Sequence, residues 1–201
     1  VAMVAQAKKE GLPVTAEVTP HHFTLTEEAI TCDDANYKMN PPLRKQEDVD
    51  ALIKGLADGT MDCISTDHAP HHVTEKERPF ADAPFGITGL ETSVSLTMTE
   101  LVNKGIITPM KMVELMSYNP AQIIHSDKGT LLPGRAADIT IINPDDEYVI
   151  DSTKFASLGK NTPFNGKQVK GRVVYTIAGG KTVYSYRPGF ECIVDKDVPK
   201  L

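Results

Sequence analysis

The sequence predicts an α/β fold followed by a β-rich segment. Over the first 125 residues, short β-branched runs alternate with stretches whose apolar residues recur at helical spacing. From residue 129 onward, alternating apolar residues and glycine turns replace the helical pattern. We therefore predict an α/β unit over residues 1–128. A return segment and a small β-rich domain would then occupy residues 129–201.

The composition is that of an ordinary globular protein and argues against several classes of partner. The 201 residues allow one large domain, or one domain with a small appendage. A net charge of −6 makes nucleic acid and anionic membrane surfaces unexpected partners. No apolar run approaches the roughly 20 residues that cross a bilayer. Three widely spaced cysteines without a CxxC motif predict reduced thiols in a cytoplasmic protein.

The first elements are a helix, a strand and a helical turn. Lys8 and Lys9 fall in the last turn of the helix, which ends at Gly11. Residues 12–20, LPVTAEVTP, are β-branched and predict a strand, and Thr26 is a suitable N-cap for the turn that follows. Because the chain opens inside a helix and without an initiator methionine, we expect it to be part of a longer protein.

The middle of the chain continues the alternation. Residues 36–44, NYKMNPPLR, predict a brief strand that runs into a loop at its two prolines. Residues 46–58 carry apolar residues on one helical face, and residues 61–67, MDCISTD, predict a strand. Residues 71–86 are charged and aperiodic, which is typical of a long binding loop.

The remaining elements are helices and then hairpins. Residues 89–103 and 109–117 predict helices, the second with Pro109 at its first position, and NPAQIIH predicts another short helix. Residues 166–184 alternate as strands do, and Gly179-Gly180 is suited to a two-residue hairpin turn.

Polar residues follow three of the predicted strands, in EVTPHH, KMNPPLR and STDHAPHH. In α/β folds, catalytic groups lie at the carboxyl ends of the strands. Asp67 could bind a divalent cation and carry a proton there, or it could simply cap a turn. His68 could bond the backbone, and His71 is close enough for the chain to fold it back toward Asp67.

Other polar residues at strand ends have structural alternatives. His21 and His22 are adjacent, so in an extended chain their rings point to opposite sides and cannot easily hold one ion. Asn40 precedes two prolines and has two open interpretations: its amide donor and acceptor contact a ligand, or it only starts a turn.

A complete zinc site is not expected from these residues. Zinc takes three or four ligands, commonly from HxH, HxxxH or HExxH pairs, and the sequence contains neither HxH nor HExxH. In HAPH, Pro70 excludes a regular helix between the two histidines. Asp67 is therefore interpreted as one ligand of a site whose other ligands lie elsewhere.

The motifs resemble those of a known family. In order and spacing, EVTPHH, KMNPPLR, STDHAPH and APFGITGLE resemble segments of bacterial dihydroorotases, which are cyclic amidohydrolases of the amidohydrolase superfamily. GTLLPGRAADITIINPD resembles the return strand of their small β-sandwich, so the resemblance runs from about residue 11 to about residue 185. It implies the carboxyl-terminal part of a (β/α)₈ TIM-like metal-dependent hydrolase barrel, together with a β-sandwich segment.

The resemblance also implies a reaction and its residues. Family members use a binuclear zinc (Zn²⁺) centre to interconvert dihydroorotate and N-carbamoyl-aspartate in pyrimidine biosynthesis. Asp67 would bind one zinc and act as the general base. Asn40, His71 and the backbone of Phe85 and Gly86 would contact the substrate. The remaining histidines of the three motifs match no metal ligand of the family: His21, His22, His68 and His72.

The chain also departs from the family pattern. The family's HxH pair, its bridging acidic residue, two further histidines and the arginine that pairs with the substrate carboxylate are all missing. We therefore expect the 201-residue chain to be inactive alone. The full-length protein is expected to form a homodimer, and aspartate carbamoyltransferase is a candidate partner. Two alternatives remain open: a non-catalytic scaffold for that enzyme, and a related cyclic amidohydrolase such as dihydropyrimidinase or allantoinase.

Overall fold

The computed structural model describes residues 1–186 and 193–194. In chain order its α-helices are α1 (Ala2–Lys9), α2 (Pro20–Thr24), α3 (Gln46–Asp58), α4 (Val73–Lys76), α5 (Ser93–Thr97), α6 (Pro109–Val113) and α7 (Asn119–Ile123). Its strands are β1 (Glu17–Val18), β2 (Cys63–Ile64), β3 (Ile139–Val149), β4 (Gln168–Ala178), β5 (Lys181–Ser185) and β6 (Ile193–Val194).

Several helices join end to end. α5 continues as a π-helical segment, Met98–Val102, and a second one, Glu114–Tyr118, joins α6 to α7. The helices predicted over residues 89–103 and 109–117 are therefore confirmed. The additional short helix predicted in NPAQIIH is the continuation of the second.

The first sheet consists of β1 and β2 in parallel, with Val18 opposite Ile64. The pairing extends one residue past β2, because the Ser65 amide donates to the Val18 carbonyl at 3.1 Å. A parallel bridge between His68 and Ile87 brings a third segment beside β2. The predicted α/β class is thus confirmed. Because these segments run parallel, their carboxyl ends lie at one edge.

The strands are shorter than the sequence predicts. Residues 12–20 contribute only β1, and residues 61–67 contribute only β2. The prediction of a strand in residues 36–44 was wrong: Ala35–Tyr37 is a 3₁₀ turn, and the Asn40–Pro41 peptide is cis. Prolines lack the amide proton that a ladder needs, so this segment passes the site as irregular chain.

One hydrophobic core lies between the first sheet and the helices. α3 contributes Val49 and Leu56, while Leu101 and Leu115 come from the two π-helical segments. α3 has the residues that were predicted for it, and it ends at Gly59, whose φ of 85° requires the left-handed conformation that glycine tolerates.

A second core joins the α/β part to the later sheet. Met39 and Leu96 pack in one cluster with Ile150, Phe164 and Val169. The later sheet has the antiparallel order β3-β4-β5-β6. The later part of the chain therefore packs against the α/β part through Met39, which adjoins Asn40, and through Leu96 of α5.

The hairpin predicted at Gly179-Gly180 is confirmed. These glycines join β4 to β5 with φ angles of 55° and 79°, as a two-residue turn with positive φ at both positions requires. The predicted β-rich domain extends to residue 201, and residues 187–192 and 195–201, with Cys192, lie outside the described part of the chain. Among the described residues, no helix is both long and apolar enough to span a membrane.

Candidate active site

Asp67 lies at the carboxyl edge of the first sheet, three residues after β2. Its φ of 46° is left-handed, a conformation that Asp and Asn tolerate better than most residues and that clusters at functional sites. The residue is exposed, and none of the described residues hydrogen-bonds to its carboxylate. Both carboxylate oxygens are therefore available to a cation or a proton.

The metal-ligand inventory around Asp67 is incomplete. Within residues 1–186 and 193–194, no three His, Cys, Asp or Glu side chains come close enough together to hold a metal ion. A carboxylate is a normal zinc ligand, but zinc sites use three or four protein groups or waters. Asp67 fits one position of such a site, and the described residues do not complete it.

His68 connects the end of β2 to the segment that leads into α5. Its Nδ1 accepts hydrogen bonds from the amides of Gly89 at 3.1 Å and Leu90 at 3.3 Å, so Nδ1 carries no proton. A Cβ added at Gly89 would lie 2.3 Å from the Thr66 carbonyl oxygen. Only glycine allows the backbone at residue 89 to lie this close to Thr66. The role of His68 is structural: it holds the two segments together through its Nδ1.

His71 is half-buried and is held at several atoms. Its amide donates to Asn161 Oδ1 at 3.0 Å. Its Nε2 lies 2.9 Å from the Phe85 carbonyl oxygen and must donate to it, because a carbonyl only accepts. Its Nδ1 lies 3.6 Å from Glu75 Oε2. Nε2 is therefore bonded to the backbone, whereas Nδ1 has only this longer contact with the Glu75 carboxylate.

The polar groups of the Gly86 backbone are already bonded. Its amide donates to the Lys38 carbonyl at 2.9 Å, and its carbonyl accepts from Lys76 Nζ at 3.0 Å and Asn161 Nδ2 at 3.1 Å. The amide of Phe85 has no hydrogen bond among the described residues, and its ring is 56% exposed. Of this segment's amides, that of Phe85 is thus the one open to a ligand.

Asn40 lies exposed beside the same edge, before the cis peptide. His22 fixes this turn: its Nε2 donates to the Pro41 carbonyl at 2.8 Å, and its Nδ1 lies 2.6 Å from the Thr19 hydroxyl. His22 therefore holds α2 against the turn and has no nitrogen left for a metal ion.

His21 is 1% exposed, and its ring centroid lies 4.4 Å from that of His22. Burial, with a smaller contribution from His22, lowers the pKa of His21 to about 3. No described residue hydrogen-bonds to its Nε2. His21 is therefore neutral at ordinary pH and belongs to the core.

Three site-supporting residues were missed by the sequence analysis: Lys38, Lys76 and Asn161. All three are buried. The pKa of Lys76 is lowered to about 8: burial is the main cause, Asp34 opposes the shift, and Lys38 adds a smaller lowering contribution. In the sequence Lys76 lies in a charged run, and Asn161 lies 90 positions after His71 in an aperiodic segment. At neither position does the neighbouring sequence indicate a role in the site.

A separate cleft of about 820 Å³ lies between α5 and the later sheet. Arg172 lines it, stacked on Tyr148 at 3.7 Å and Tyr186 at 4.2 Å and paired with Asp146 at 2.7 Å. His68 lines one part of this cleft, but none of Asp67, His71 and Asn40 does.

Comparison with known proteins identifies the family. Residues 3–183 match the amidohydrolase family. The chain is a member of that family. It is 51% identical over 191 residues to a dihydroorotase from Caldanaerobacter subterraneus subsp. tengcongensis, covering 95% of this chain and 44% of that protein. It is 52% identical over 187 residues to one from Pelotomaculum thermopropionicum, covering 93% and 44%.

Solved structures agree with the amidohydrolase assignment. The L-hydantoinase (dihydropyrimidinase) from Arthrobacter aurescens superposes with a TM-score of 0.85 at 35% identity, over 90% of this chain and 42% of that one. A dihydropyrimidinase from Brevibacillus agri NCHU1002 gives a TM-score of 0.85 at 28% identity, over 90% and 41%. The resemblance to cyclic amidohydrolases and the α/β hydrolase class are confirmed. The chain spans less than half the length of these relatives.

Proposed function

We propose that this chain forms the carboxyl-terminal part of a dihydroorotase, a cyclic amidohydrolase that interconverts dihydroorotate and N-carbamoyl-aspartate. The observation that carries the proposal is 51–52% identity to curated dihydroorotases over more than nine-tenths of the chain. Residues 1–128 would belong to the (β/α)₈ barrel, and residues 129–201 would form the return segment and the small β-domain. The free Asp67 carboxylate at a sheet edge suits this chemistry.

Asp67 would hold one zinc ion of a binuclear centre, with the other ligands supplied from outside the described residues. Zinc bound there would polarise the ring carbonyl and make nearby water more acidic. The Asp67 carboxylate would accept the proton of the attacking water and return it to the departing ring nitrogen. It is exposed, and no described residue hydrogen-bonds to its carboxylate, which leaves it free for both transfers.

The substrate offers a carboxylate and ring amide groups that match the neighbouring residues. We assign the substrate carboxylate to His71, whose Nδ1 would donate to it from the imidazolium form because Nε2 already donates to the Phe85 carbonyl, and a ring amide to Asn40. The Phe85 amide would donate to a ring carbonyl. Because both polar backbone groups of Gly86 are engaged, Gly86 would contact the ring by close packing, which its lack of a side chain permits.

Assembly and location follow from the same proposal. The full-length enzyme would act on this small-molecule substrate in the cytoplasm as a homodimer, and it could associate with aspartate carbamoyltransferase. A second candidate activity is hydrolysis of hydantoin or dihydropyrimidine rings, which the superposition on the Arthrobacter L-hydantoinase favours. This second activity is the weaker candidate, because the chain is 51% identical to a dihydroorotase and 35% identical to the L-hydantoinase.

The proposal is tested with a fusion that supplies the missing part of the site. In this dihydroorotase chimera, the chain replaces the segment of the Caldanaerobacter dihydroorotase that it matches over 191 residues. With added zinc, we expect the chimera to cyclise N-carbamoyl-aspartate and the isolated chain to show no turnover. A folded chimera without turnover would contradict the proposal, and turnover by the isolated chain would contradict the incomplete metal site.

A further inference from the structure

We propose that Lys76 and Asn161 are positioning residues for substrate binding. In this inference, which rests on the proposed function, they hold the Gly86 peptide and the His71 ring in a single arrangement. Neither side chain hydrogen-bonds to Asp67 among the described residues; both act through the backbone of neighbouring segments.

Lys76 is a buried cation whose hydrogen-bond acceptors are backbone carbonyls. Lys76 is 7% exposed, and its Nζ lies 3.0 Å from the carbonyl oxygens of both Pro84 and Gly86. Charge-assisted hydrogen bonds of this kind are stronger than neutral ones. Lys76 therefore fixes the direction of two carbonyls on either side of Phe85.

Asn161 connects two stretches of chain that would otherwise be independent. It is 6% exposed; Nδ2 donates to the carbonyls of Ala69 at 3.0 Å and Gly86 at 3.1 Å, and Oδ1 accepts from the His71 amide at 3.0 Å. Its own carbonyl accepts from the Thr88 amide at 2.8 Å. Both amide donors and the amide acceptor are used, so no other residue type replaces the full set.

The two side chains converge on one oxygen, the Gly86 carbonyl. Losing one donor leaves that carbonyl with the other, but losing both leaves a buried acceptor without a side-chain partner, which is costly. The preceding carbonyl, that of Phe85, accepts from His71 Nε2. Movement of this loop therefore displaces the His71 ring together with the Phe85 amide.

The expected signature is weaker substrate binding with a preserved chemical step. In the dihydroorotase chimera, Lys76→Met and Asn161→Ala should each raise KM for N-carbamoyl-aspartate by about tenfold, with kcat changed much less. Asn161→Asp, which keeps an acceptor for His71 but loses both donors, should be at least as severe. Because the bonds share an acceptor, the double variant should exceed the product of the single effects.

A pH profile gives a readout that loss of packing alone would not move. The charged groups that act on Lys76 within the described residues are Asp34 and Lys38, and burial lowers its pKa to about 8. Above that pH the ammonium loses its charge and its bonds weaken, so KM should rise. In Lys76→Met this rise should be absent.

Two matched controls separate positioning from general destabilisation. Lys54→Met removes an exposed lysine that pairs with Asp58 on α3, and Asn165→Ala removes an amide that binds Ser152 away from the site. Neither should change KM. Amide hydrogen exchange in the 201-residue chain gives a readout independent of turnover: Gly86 and His71 should exchange about tenfold faster in Lys76→Met and Asn161→Ala, and not in the controls.

The outcomes of these experiments are distinct. Unchanged KM for both site variants in an active chimera would overturn the positioning role. If the parent chimera shows no turnover, the proposed function fails, and the exchange data then decide: faster exchange at Gly86 and His71 supports the inference, and unchanged exchange overturns it.

Discussion

Asp67→Asn in the dihydroorotase chimera should lower kcat by about 10²- to 10⁴-fold, the usual range for loss of a positioned acid–base group. Asparagine has nearly the same size, and it also tolerates the left-handed backbone that Asp67 adopts at φ 46°. The substitution therefore removes charge and basicity and leaves the local fold in place. Initial rates of N-carbamoyl-aspartate cyclisation, measured with saturating zinc, give the comparison.

The matched control for this substitution is Asp127→Asn. The Asp127 side chain is 72% exposed and pairs only weakly with Arg135, at 3.5 Å. The Asp127→Asn substitution should leave kcat unchanged. In an active parent chimera, an unchanged kcat in Asp67→Asn would rule out Asp67 as the general base.

The isolated chain should lose stability on acidification through His21. The pKa of this histidine falls from 6.5 to about 3 in the folded chain, so between these values the unfolded chain binds a proton that the folded chain does not. Stability therefore falls as the pH falls from about 6.5 to about 3, by about 5 kcal/mol at most. Urea unfolding at a series of pH values measures the effect.

The variant His21→Phe tests the cause of this acid sensitivity. Phenylalanine fills a similar volume and removes the unpartnered Nε2, so the free energy of unfolding should depend much less on pH between 3 and 6.5. His125→Asn, at an exposed left-handed position, should keep the wild-type dependence. Equal pH dependence in wild type and His21→Phe would show that other groups carry it.

Elements with a strong local pattern could be predicted from the sequence. α3 has one apolar face and a glycine stop, and both of its ends were predicted correctly. The Gly179-Gly180 turn was also predicted, because two adjacent glycines supply the positive φ angles that this hairpin needs. The lengths of β1 and β2 could not be predicted. A strand ends where its pairing partner ends, and that partner is distant in the sequence.

The candidate site could be predicted only in part, for the same reason. Asp67 and His71 stand in a short motif whose residue types indicate their chemistry. Asn161 and Lys76 act through backbone carbonyls, which every residue possesses, so nothing in the sequence indicates what they bind. Their role becomes visible only when the fold brings residue 161 against residues 69–71 and 86–88.

The most direct test of the central claim, that this chain carries the dihydroorotase form of the site, uses two chimeras. One is the dihydroorotase chimera, and in the other the chain replaces the matching 42% of the Arthrobacter L-hydantoinase. The measurement is kcat/KM for dihydroorotate with the first chimera and for hydantoin with the second. We predict dihydroorotate turnover by the first and no hydantoin turnover by the second. Hydantoin hydrolysis by the second, with an inactive first chimera, would contradict the claim.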